Sequence, residues 1–132
     1  MMYEKIAKAI HSRVWELFDY EYDIKNYRMN EHWTSHAATV NLGKRFTDDC
    51  DGFALTCAEL LIEADVPRSR ISIVYCHTEL QETHLVCGVG TGKTTLILDN
   101  RFSRIYNWQN SNYKWNYYMT FEDIGQWHAT SF

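Results

Sequence analysis

Pro67 is the only proline in this chain of 132 residues, and the hydrophobic pattern changes period across it. Upstream, apolar residues recur at helical spacing; downstream they alternate or run continuously, with Thr and β-branched residues enriched. A single switch in that order, helices first and then strands joined by tight turns, specifies an α+β arrangement. Over residues 3–20 the apolar series is Ile6, Ile10, Val14 and Leu17 with Phe18, an amphipathic first helix. Residues 20–47 lose any period and are read as irregular, with short helical pieces. Thr47, Asp48 and Asp49 then supply N-cap chemistry for a second helix whose apolar face is Phe53, Ala54, Cys57, Leu60, Leu61 and Ala64. Pro67 lies beyond its end. Residues 71–76, 84–89 and 94–99 read as strands, and 117–121 as a further one.

The length is that of one ordinary domain, residues 1–132, able to bury a core without staples. A formal net charge of −4 argues against nucleic acid as a partner. Glu4, Lys5, Lys8, Arg13, Glu16 and Asp19 interrupt any signal-peptide core, and no run reaches the roughly 18 apolar residues of a membrane span. The expectation is a cytoplasmic protein without membrane contact. Cys50, Cys57, Cys76 and Cys87 form no CxxC pair, so reduced thiols are expected.

The stretch Gly88-Val-Gly-Thr-Gly-Lys-Thr-Thr95 imitates a phosphate-binding loop and fails as one. The required first glycine is replaced by Cys87, and a strand pattern follows where a helix is needed. It reads as the turn of an antiparallel pair. A zinc site from His84, Cys87, Cys76 and His77 fails because alternation puts His84 and Cys87 on opposite strand faces.

Cys50 is different from the other thiols. It opens the second helix, where unpaired amides and the helix dipole favour an anion and lower a thiol's pKa, while the acidic neighbours Asp49 and Asp51 raise it unless a cation offsets them. Cys57, Cys76 and Cys87 read as packing residues. His84 opens one strand and Asp99 closes the next; an even turn centred on Thr91 and Gly92 would set them directly opposite, close enough for a carboxylate to orient an imidazole. A helix-terminal thiol, an imidazole and a carboxylate from three separate elements are the parts of nucleophilic acyl transfer. His11, His32, His36 and His128 read as surface or packing residues, and the C-terminal tyrosines as core and rim.

Asp49-Cys-Asp-Gly-Phe-Ala54, Cys57-Ala-Glu-Leu-Leu61, Thr83-His-Leu-Val86 and Leu96-Ile-Leu-Asp-Asn100 resemble the bacterial transglutaminase-like cysteine proteinases of the papain and transglutaminase superfamily. The resemblance covers roughly residues 10–128, with Trp33 and Trp127 similar to two of the family's tryptophans. It implies a papain/transglutaminase-like core packed on an antiparallel sheet, Cys50 as nucleophile, His84 as base, Asp99 as orienter, and Trp33 at the oxyanion wall. It also implies a protein or peptide substrate and calcium at Asp49 and Asp51, with no other cofactor required. Hydrolysis is the first reading, transglutamination and glutamine deamidation use the same intermediate, and an idle binding module or inhibitor is the contrasting class. Asp48 and Gly52 stand where a glycine and an acidic residue are more usual in that family.

Overall fold

The computed structural model describes residues 2–20 and 34–130 of the chain. Helix α1 (Met2–Leu17) turns Ala7, His11 and Val14 inward at helical intervals, and strand β1 (Phe18–Tyr20) follows directly. After the short helix α2 (Ala37–Asn41), strand β2 (Phe46–Asp48) pairs with β1 in parallel, Phe18 level with Phe46. Helix α3 (Cys50–Glu63) is capped by Asp49, whose carboxylate accepts from the Asp51 amide, and it ends four residues before Pro67. The expected second helix is thus found with its expected start.

The remaining strands form one six-stranded sheet. They are β3 (Ile71–His77), β4 (Thr83–Gly90), β5 (Thr95–Leu98), β6 (Tyr106–Asn107), β7 (Lys114–Thr120) and β8 (His128–Ala129), arranged β6-β5-β4-β3-β7-β8 with all neighbours antiparallel. The last expected strand begins three residues earlier than its pattern suggested, because Trp115 pairs across Cys76 through a register shift in β3. The lookalike phosphate loop is the four-residue turn Thr91–Thr94, closed by Thr91 donating to the Thr94 carbonyl; Gly92 takes φ +93 there, which favours glycine.

Both faces of the sheet are covered, so its central strands are apolar on both sides. On one face Ile71, Ile73, Leu85, Cys87, Val89 and Leu98 pack with Phe53, Ala54, Cys57 and Leu61 of α3 and with α1. On the other, Val74, Cys76, Val86 and Ile97 lie under Tyr113, with Tyr106, Trp108, Trp115 and Tyr118 against them. The aromatic C-terminal third therefore forms a second apolar layer, and Cys57, Cys76 and Cys87 are packing residues as expected. Among the described residues no helix is long and apolar enough to cross a membrane.

Candidate active site

Cys50 is the first residue of α3, where the leading amides have no intrahelical acceptor. Its thiol is held between two groups: the Asp51 carboxylate, 3.5 Å from the sulfur, and the backbone amide of Leu85 on β4. The helix start was expected to lower this thiol's pKa. Instead it stands well above its ordinary value, because burial disfavours the thiolate and the Asp51 charge adds to that, against the opposing pull of the Leu85 amide. Here desolvation outweighs one turn of amides.

The acidic neighbours are linked. Asp48 accepts from the Asp49 amide and lies 2.7 Å from His36 Nε2, whose ring stacks on Phe46. Burial raises both Asp49 and Asp51, helped by the Asp48 charge at Asp49 and by the Asp49 and Asp48 charges at Asp51, which is pushed to about 6. His36, read from sequence as a surface or packing residue, is thus the counterpart of Asp48.

His84 lies next to Leu85 and is 7% exposed. Its Nε2 is 2.8 Å from Asp99 Oδ1, and Asp99 is fully buried. The expected direct opposition of these residues does not hold. The turn contains four residues, so Cys87 pairs with Leu98, and Asp99, just past the ladder, falls level with Val86. His84 and Asp99 are diagonal neighbours on one strand face, and the length of the imidazole closes the gap. The parity argument survives because the register moved by two positions, not one.

Four residues missed from sequence complete the surroundings of Asp99. Tyr106 and Tyr113 donate to its Oδ2 at 2.8 and 2.7 Å, the Arg101 amide donates to Oδ1 at 3.0 Å, and His11 Nε2 lies 2.9 Å from its backbone carbonyl. Burial pushes the Asp99 carboxyl up, yet the hydrogen bonds and charge from His84, the Arg101 amide and Tyr113 bring it below the ordinary value. His11 is driven down by burial. The only available signal was the helical spacing of His11 with Ala7 and Val14; nothing local marks the tyrosines. Trp33 and His32 lie outside the described residues.

Carboxylate oxygens of the Asp48, Asp49 and Asp51 group suit a hard cation in kind. Among the described residues, however, no three His, Cys, Asp or Glu side chains are gathered to hold a metal.

The fold has counterparts. Solved structures of LapG from Legionella pneumophila superpose with TM-scores of 0.75 (EGTA-treated), 0.71 and 0.70 (calcium-bound), at 21%, 23% and 22% identity. The matches take in 98%, 89% and 92% of this chain, which spans about two thirds of those chains, 68%, 63% and 68%. No curated protein matches. A family model matches residues 3–131, nearly the whole chain, and this protein belongs to the bacterial transglutaminase-like cysteine proteinases.

Proposed function

We propose that this cysteine proteinase cleaves peptide or isopeptide bonds of a protein or peptide substrate through a Cys50 acyl-thioester. The observation that carries the reading is the buried His84–Asp99 pair beside the Leu85 amide, against which the Cys50 thiol rests. Asp99 engages His84 Nε2, which leaves Nδ1 to exchange protons. The thiol proton passes to Nδ1 as sulfur bonds to the carbonyl carbon, and negative charge moves to the carbonyl oxygen. The Cys50 amide at the head of α3 faces that charge, with Trp33 as the proposed second wall. Collapse expels the amine, which takes the proton from His84. Water then attacks the thioester, gives a proton to His84, and the departing thiolate recovers it. An amine in place of water would give transglutamination, and a glutamine side chain as substrate would give deamidation.

The test is alkylation by iodoacetamide, followed thiol by thiol with peptide mass spectrometry. Cys50 is expected to react far faster than buried Cys57, Cys76 and Cys87, and His84→Ala to slow it on the order of 10²-fold. Indifference of Cys50 to His84 would leave a binding module that kept the fold.

Calcium enters the proposal as an accessory ion at Asp49 and Asp51, completed by backbone and water oxygens; no proton or bond depends on it. The raised carboxyls on either side of Cys50 support it, since a dication would relieve their repulsion. Asp51→Asn is expected to lower the pH at which Cys50 alkylates, by removing one charge that opposes the thiolate. Calcium at about 1 mM is expected to lower it in the wild type and much less in the variant. The folded state also holds the Asp51 proton more tightly than the unfolded chain does. Stability should therefore fall as pH rises from about 4 toward 6, and this slope should flatten in Asp51→Asn. Identical alkylation profiles for wild type and Asp51→Asn, with and without calcium, would count against both roles of Asp51.

A further inference from the structure

We infer that Tyr106 and Tyr113 are positioning residues of this site, two phenols that lock the Asp99 carboxylate into the orientation in which it directs His84. The inference rests on the triad proposed above. Both hydroxyls converge on Oδ2, so Oδ1 is reserved for His84 Nε2 and the Arg101 amide. Rotation of the carboxylate would break all of these bonds at once. A buried anion needs such donors in any case, but their division between the two oxygens goes further, since it fixes the plane in which the carboxylate meets the imidazole.

Tyr113 acts on both members of the pair. Its ring stands edge-on to the His84 imidazole, with centroids 5.5 Å apart and planes at 83°. Its hydroxyl accepts from Arg101 Nη1 at 3.0 Å, which turns the phenolic hydrogen toward Asp99. Arg101 is itself forked onto Glu79 at 2.8 and 3.0 Å, tying this cluster to the loop between β3 and β4. Tyr106 comes from β6, at the sheet edge, so the lock draws on elements outside the β4–β5 hairpin.

Groups that bear on Asp99 are His84 from β4, Cys76 from β3, His11 from α1 at its carbonyl, the two tyrosines, and Arg101 with Glu79 at the rim. Arg101 and the hydroxyls favour its charge, while Glu79 opposes it. Loss of a hydroxyl lets Asp99 take up a proton at higher pH, and a protonated Asp99 no longer directs the imidazole.

The experiment measures the pH dependence of Cys50 alkylation by iodoacetamide in full-length wild type, Tyr106→Phe, Tyr113→Phe and the double variant, with His84→Ala as reference. Phenylalanine keeps the rings and removes only the hydroxyls. The acidic limb is expected to move upward by about one pH unit in Tyr113→Phe and further in the double variant. If the double variant does not fold, as judged by circular dichroism, the single variants decide. Folded variants with an unmoved limb, alongside a slowed His84→Ala, would overturn the lock and leave the triad standing. An unmoved limb with an unslowed His84→Ala would overturn both, whereas simple loss of packing would lower the amplitude and leave the limb in place.

Discussion

Asp99→Asn is expected to lower Cys50-dependent hydrolysis on the order of 10⁴-fold, the effect seen when a triad carboxylate becomes an amide and the imidazole is held in the wrong tautomer. Here the substitution is nearly isosteric, but the polarity of the site is set against it. Every side-chain or amide group that meets the carboxylate is a donor: His84 Nε2, the Arg101 amide and two tyrosine hydroxyls. An amide offers one oxygen in place of two and brings its own hydrogens. Turned one way, its NH₂ faces two donors, His84 Nε2 and the Arg101 amide; turned the other, it faces the tyrosine hydroxyls, which must give up donating in order to accept from it. With about 1–3 kcal/mol for each buried group left unsatisfied, the loss comes to several kcal/mol out of a total stability of about 5–15 kcal/mol. The thermal midpoint should fall by about 10 °C. The wild type should lose the Asp99 contribution only as pH falls through the folded pKa, below the ordinary carboxylate range, because that pKa is depressed. The variant should lack that acid-side slope. A midpoint within about two degrees of wild type, with turnover intact, would mean that the site does not need an anion there.

Gly52→Ala is expected to destabilise the protein although alanine is the better helix former. The substitution favours α3 intrinsically by about 1 kcal/mol. A Cβ at position 52, however, would coincide with the carboxyl group of Asp48, which crosses over Gly52 from β2. Asp48 would have to swing away, breaking its bonds to the Asp49 amide and to His36, each 2.7 Å long. At about 1.5–3 kcal/mol for a hydrogen bond to a charged group, the loss exceeds the helix gain. The net effect should be a thermal midpoint lowered by roughly 5–10 °C. In an Asp48→Gly background the obstruction is gone, and Gly52→Ala should turn neutral or stabilising. A double-mutant cycle measured by thermal or urea unfolding reads that reversal. Equal effects of Gly52→Ala in both backgrounds would remove the steric explanation.

The same contact couples positions 48 and 52. The resemblance implies a glycine and an acid there, where this chain has Asp48 and Gly52. The two positions share one volume beneath the helix start, so the Asp48 side chain requires the absence of one at position 52.

Much of the architecture was legible because hydrophobic period is a local property. The start of α3 followed from Asp49 as its cap, and three of the strands followed from β-branched runs with glycines between them. Short elements were less legible: β6 and β8 have two residues each, too few for any period, and exist through pairing with β5 and β7. The register of the β4–β5 hairpin also escaped by two positions. Gly-Thr-Gly-Lys permits turns of two or four residues, and both keep the same strand faces on the core, so hydrophobic alternation does not choose between them.

From sequence alone came the α+β order, the reach of Cys50 at a helix start, and the shared face of His84 and Asp99, all of which depend on spacing and parity. Tertiary structure alone decided the chemistry around them. The thiol's pKa is raised and not lowered, because burial beside Asp51 depends on what α3 packs against. The Asp99 carboxyl is depressed although buried, because His84 from the neighbouring strand, the Arg101 amide and Tyr113 meet it in the folded core and together outweigh its desolvation. Spacing constrains neighbours along one element, whereas charge and solvation respond to every atom within a few ångströms, whichever part of the chain supplies it.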